Sequence, residues 1–128
     1  MTTIYKIFRF REFPVYADAR IFITSAKKIF RTKFPKHEQF SLLQQLCRAL
    51  DSIVLNIAEG ANRGTDKDFA HFLNISQASL SEVVACFDVA LDNEYFSPSE
   101  HNGLLKNAEF LAYQLNSFRN SIVRALRK

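Results

Sequence analysis

The chain has 128 residues, 48% hydrophobic and 23% charged, with 17 Lys and Arg against 13 Asp and Glu. Such a composition suits one folded domain and excludes general disorder, and no apolar run approaches the ~20 residues of a bilayer-spanning helix. Cys47 and Cys86 make no disulfide framework, and the basic N-terminus lacks an apolar signal core, so a cytoplasmic location and no membrane are the expectation.

Residues 1–13 come first. Lys6, Phe8 and Phe10 alternate with Ile7, Arg9 and Arg11, which reads as an extended arm. Pro14 then suits the first turn of a helix, where its missing N–H costs nothing. Val15, Ala19, Phe22, Ala26 and Ile29 follow at three- and four-residue steps, as one apolar stripe. Pro35 ends this helix near Phe34, because a residue before proline avoids the α region.

A second helix is expected from about 37 to 63, with Leu43, Leu46, Leu50, Ile53, Ile57 and Ala61 facing inward. Gly64 is the expected positive-φ residue beyond its end. Thr65 and Asp68 resemble a capping box that opens a third helix running to about 92. Its inward positions are Phe69, Phe72, Ser76, Leu80, Val83, Phe87 and Ala90. Ser97-Pro98-Ser99-Glu100 is the clearest start signal, with Ser at the N-cap, Pro at N1 and Glu at N3. The fourth helix carries Leu104, Ala108, Leu111, Leu115, Phe118, Ile122 and Ala125. Connections this short make neighbouring helices antiparallel. The fold expected over 14–128 is therefore an all-α, up-down-up-down four-helix bundle.

Leu42, Ala49, Leu55, Ile21, Ile23, Phe30, Ile75, Val84, Phe110 and Val123 lie off the main stripes. Either large side chains fill a broad core, or the surplus marks homo-oligomerisation, which is the preferred reading.

Charge is segregated along the chain. Residues 1–36 hold nine basic side chains and two acids, 37–105 three basic and ten acids, and 106–128 five basic and one acid. Two basic ends flank an acidic middle, a pattern that speaks to partners rather than fold.

The run Phe34-Pro35, Glu38-Gln39-Phe40, Gln45-Leu46, Arg48-Ala49, Ser52-Ile53, Asn56-Ile57-Ala58-Glu59-Gly60 and Arg63, then Lys67-Asp68-Phe69, Phe72-Leu73, Ser79-Leu80 and Glu82, resembles a known family. These are four-helix-bundle proteins first noticed as reading frames in intervening sequences of bacterial 23S rRNA genes. The resemblance spans roughly residues 13–95. This chain has Cys47-Arg48 where the family has an Arg pair, and Val54 where it often has proline. The resemblance implies a homopentameric barrel around a central channel and no enzymatic activity. It also implies a relative, the accessory protein of diversity-generating retroelements, which binds nucleic acid and partners a reverse transcriptase.

Gln45, Arg48, Asn56, Glu59, Gly60, Arg63 and Glu82 read as a structural polar network. Asn56, Glu59 and Arg63 share a helix face, Glu59 and Arg63 form an i,i+4 pair, and Glu82 faces Arg48 or Arg63 across the bundle. Gly60 implies close approach of a neighbouring helix. No catalytic residue, metal or cofactor is expected. His37, His71 and His101 lack the Glu-x-x-His spacing of bundle metal sites, and Gly60-x-x-x-Gly64 lacks the Lys of a phosphate loop.

The basic ends carry the functional reading. Arg9, Arg11, Arg20, Lys27, Lys28, Arg31, Arg119, Arg124 and Arg127 are the candidate nucleic-acid ligands, because the first and fourth helices are neighbours in this topology and their charges converge on one side; with the resemblance, RNA is the polymer expected first. Tyr5, Phe8 and Phe10 interleave with arginines in a manner compatible with single-strand stacking. The alternative is a protein-interaction adaptor, such as an accessory subunit of a retroelement reverse transcriptase.

Overall fold

The computed structural model describes residues 7–39 and 41–126. Four helices follow one another: α1 (Pro14–Lys33), α2 (Leu42–Ala61), α3 (Asp66–Asp92) and α4 (Pro98–Leu126). Among the described residues there is no strand, and no helix is long and apolar enough to cross a membrane. α3 packs along α2 and α4, and α1 closes the bundle against the same two helices.

The expected stripes form the core, except that Ala125 at the end of the fourth stripe is exposed. Val15, Ala19, Phe22, Ala26, Leu46, Leu50, Ile53, Ile57, Phe69, Leu80, Val83, Phe87, Leu104, Ala108, Leu111 and Leu115 are buried. Ile23, Phe30 and Ala49, expected as surplus, are buried as well. Phe30 is the reason for much of this: its ring meets Phe87 at 5.4 Å, Phe34 at 5.2 Å and Phe96 at 6.2 Å. A second aromatic cluster, Phe13–Phe69–Phe118, fills the opposite end at 5.1–6.0 Å. The broad core therefore absorbs part of the surplus, and Ile21, Leu55 and Phe110 stay exposed.

Two of the punctuation signals hold in atomic detail. Thr65 Oγ1 accepts the Asp68 N–H at 3.1 Å. Ser97 and Glu100 form a reciprocal box: Ser97 Oγ accepts from the Glu100 N–H at 3.1 Å, and Glu100 Oε1 accepts from the Ser97 N–H at 2.8 Å.

Three boundaries differ from the sequence reading. Residues expected to extend from the arm coil instead into a 3-10 turn over Arg9–Glu12. Met1–Lys6 lie outside the described residues. The second helix starts at Leu42 rather than near 37, because Lys36–Glu38 form a separate 3-10 turn. There the Glu38 carboxylate accepts hydrogen bonds from Ser41 Oγ and Tyr95 Oη, which tie the turn to the α3–α4 connection. Gly64 does not take positive φ. α2 closes through i→i−3 bonds, Asn62 N–H to Glu59 O and Arg63 N–H to Gly60 O, so it needs no left-handed residue.

The left-handed position falls at Glu94, with φ of 61°. Its N–H donates to Leu91 O and the Tyr95 N–H to Ala90 O, the paired bonds of a Schellman ending on α3. A side chain in this conformation is strained, and glycine is not. Glu94→Gly is expected to raise stability by about 0.5–1 kcal/mol, read as a higher urea midpoint at unchanged slope.

Candidate nucleic-acid interface

The motif residues separate into three contacts rather than one network. Gln45 Nε2 donates to Glu82 Oε2 at 3.1 Å, so glutamine takes the place expected for Arg48 or Arg63. Arg48 is exposed and makes no ion pair among the described residues. Asn56 Nδ2 donates to Ser52 O at 2.8 Å and Ser52 Oγ at 2.9 Å, and Ser52 Oγ meets Ser79 Oγ at 2.8 Å. Glu59 and Arg63 form their i,i+4 pair at 2.9 Å, with the Arg63 guanidinium 4.6 Å above the Phe72 ring. Gly60 makes the close approach its position implied: a Cβ there would lie 2.6 Å from Phe72 Cβ.

The basic candidates divide between anchors and free cations. Arg9 folds back onto the bundle surface, donating to Ala61 O at 3.1 and 3.3 Å while lying over Phe13 and Phe69. It satisfies a C-terminal carbonyl of α2 and meets the negative end of that helix. Lys27 is bound to Asp51 of α2 at 2.6 Å. Arg119 is half-buried and bends along α4 to Asn120 Oδ1 at 3.2 Å. Arg127 lies outside the described residues.

Arg11, Arg20, Lys28, Arg31 and Arg124 are exposed and form no ion pair among the described residues. Arg20, Thr24, Lys28 and Arg31 share the outer face of α1 at helical spacing. The single acid on α1, Asp18, is turned to α4, where it accepts from Gln114 Nε2 at 2.7 Å. The free cations thus concentrate on α1; the described part of α4 adds Lys106 and Arg124 on exposed positions.

Beside this face runs an apolar seam. Ile21 (65% exposed) and Phe110 (68%) border one groove between α1 and α4, and Tyr113 (74%) stands one turn further along α4. A second groove of about 430 Å³ runs between α3 and α4. Leu80, Val84, Leu105, Ala108 and Ala112 line it, with Glu109 as its charged residue. Glu59 and Glu82 do not line it; both sit exposed with the partners given above. Among the described residues no group of three His, Cys, Asp or Glu could hold a metal ion.

Sequence reasoning missed the Glu38 clamp and the serine contacts. The i,i+3 spacing of Glu38 and Ser41 was a readable sign of the first. Serines at positions 52, 76 and 79, set among apolar positions, were a sign of the second. Ser76, fully buried, donates to Ile53 O at 2.8 Å. Burial pushes the Cys86 thiol up, so it stays protonated and inert.

Two surface carboxylates are held below their ordinary range: Glu38 by hydrogen bonds from Ser41 and Tyr95, Glu100 by the Ser97 N–H and Lys33. A depressed folded-state pKa adds stability that is complete above the unfolded value of ~4.3 and is lost as pH falls through the folded value. Melting between neutral pH and pH ~3 should therefore drop further for the native chain than for Glu38→Gln/Glu100→Gln, measured by thermal unfolding across that range.

The 23S rRNA-intervening sequence protein family has a profile that matches residues 11–117. Among solved structures, one from Bacteroides thetaiotaomicron VPI-5482, described as a protein of unknown function from the S23 ribosomal protein family, superposes with a TM-score of 0.75. Identity is 19%, over 83% of this chain and 95% of that one, so the likeness is one of fold. No curated protein matches the chain. With the profile covering most of the bundle, the chain belongs to the 23S rRNA-intervening sequence protein family.

Proposed function

We propose that the chain is a non-catalytic, homo-oligomeric helical scaffold that binds nucleic acid through the outer face of α1. One observation carries this reading. Arg20, Lys28 and Arg31 share an exposed face without an ion pair among the described residues, while Lys27, Lys33 and Arg63 are each held by a carboxylate. Unpaired cations on one rigid helix suit a polyanion better than a folding role. The α1–α4 seam is the proposed contact between copies, and a ring of five would repeat the cationic face five times. RNA is the polymer to test first, because the family is tied to 23S rRNA by its coding position.

The same seam also favours the adaptor reading, in which a different protein, such as a reverse transcriptase, covers Ile21 and Phe110. That reading requires a chain that stays monomeric until the partner is added.

Fluorescence anisotropy with labelled RNA tests the binding. Three phosphate contacts per subunit correspond to about a twenty-fold loss of affinity between ~50 and ~200 mM salt. Arg20→Glu/Lys28→Glu/Arg31→Glu is expected to abolish binding at the lower salt. Failure of the native chain to bind RNA or DNA at low salt contradicts the reading.

A further inference from the structure

We propose that the start of α1 carries a stacking platform for single-stranded nucleic acid, with Phe8 as its outermost ring; the inference rests on the nucleic-acid reading above. Phe8 is 64% exposed. It meets Phe10 edge-to-face at 6.3 Å, and Phe10 meets Tyr16 edge-to-face at 5.0 Å. The Arg20 guanidinium then lies 5.7 Å from the Tyr16 ring centroid. These four side chains form a continuous ladder from the turn before α1 to the first cation of its outer face.

The ladder explains an otherwise costly placement. Phe13 and Phe69 are drawn under the Arg9 guanidinium and into the core cluster, whereas Phe8 is propped in water by Phe10. A large ring held in solvent by its neighbours is a surface waiting for a flat apolar partner. The charges choose which partner. Arg11 is exposed beside the ladder, and from Arg20 to Arg31 the cationic row continues for about 16 Å along α1 at 1.5 Å per residue. A strand with unpaired bases fits both parts: bases stack on the rings and phosphates follow the cations. A duplex keeps its base faces covered, so it reaches only the cationic row.

The test compares the full chain with its Phe8→Ala and Phe8→Trp variants. The probes are labelled oligo-U RNA, oligo-dT DNA and an RNA duplex of equal phosphate number, with solution mass measured in parallel. Phe8→Ala is expected to weaken binding to both single strands by about ten-fold and to leave the duplex unchanged, with Phe8→Trp restoring affinity. Equal loss on single strands and duplex, or no loss at all, overturns the platform. So does a fall in solution mass with binding intact, which would assign Phe8 to a contact between copies. If Phe8→Ala is silent while Arg20→Glu/Lys28→Glu/Arg31→Glu abolishes binding, the platform fails and the cationic face stands. If the native chain binds none of the probes, both fail.

Discussion

Gly60→Val is expected to cost the bundle ~3 kcal/mol or more, and Gly60→Ala about 1–2 kcal/mol, although alanine is the better helix former by ~1 kcal/mol. The reason is the approach of α3. A Cβ at Gly60 would stand 2.6 Å from Phe72 Cβ, 2.9 Å from the Phe69 ring and 3.3 Å from Phe69 O. Phe72 Cβ and Phe69 O are fixed to the backbone of α3, so a new rotamer cannot relieve the clash and the helix itself must move. That movement loosens the α2–α3 contact, including Ser76 to Ile53 O and Ser52 to Ser79. Gly103 serves as the control. It lies in α4 with nothing within 4 Å of its would-be Cβ, so Gly103→Ala should gain roughly 0.5–1 kcal/mol. Urea unfolding of the three variants reads all of these, and equal stability of Gly60→Ala and the native chain would show that α2 and α3 are not held at this distance.

Ile21→Glu/Phe110→Glu is expected to dissociate the proposed assembly completely while leaving the subunit fold intact. Both side chains are about two-thirds exposed and contribute little to the subunit core, so the change in subunit stability should stay within about 0.5 kcal/mol per site. In a contact between copies the same carboxylates would be buried without partners, a penalty of several kcal/mol per ion that repeats at each contact. Sedimentation should show the loss of the larger species, and circular dichroism should show an unchanged helical signal. A variant that keeps the native mass would place the contact elsewhere, with Leu55 of α2, Val89 of α3, and Tyr113 and Leu126 of α4 as the other exposed large apolar side chains of the helices.

Helix number, order and inward faces were legible because they follow from local rules. Apolar period sets the buried side, and Pro14, Thr65 and the Ser97–Glu100 box set three of the four starts within one residue. What failed has both local and distant causes. Gly64 looked like the helix-ending residue, but α2 closes through i→i−3 bonds, and Arg9, 52 positions before Ala61, takes a carbonyl at that end. At the end of α3, Glu94 takes a left-handed turn that no side-chain feature advertises. The start of α2 moved because Tyr95, 57 residues from Glu38, anchors the preceding turn.

Of the candidate interface, the sequence showed which side chains are cationic and not which of them the fold engages. Charge segregation pointed to both basic ends, the first and the fourth helix, yet net charge does not reveal which cations the fold consumes. Arg9 and Lys27 are engaged by Ala61 O and Asp51, partners that only the packing of the 3-10 turn and of α1 on α2 brings near. Tyr16 and Arg20, by contrast, join the exposed aromatic turn through an i,i+4 step that the sequence contained. The apolar surplus was likewise overcounted, since Ile23, Phe30 and Ala49 serve the core of one subunit.

Solution mass, with and without single-stranded RNA, tests most directly the claim that copies join through the α1–α4 seam and present a shared cationic face. The expected result is a species several times 14.8 kDa in the free protein, five times for a ring, which grows on addition of RNA. A single 14.8 kDa species that RNA leaves unchanged contradicts the account.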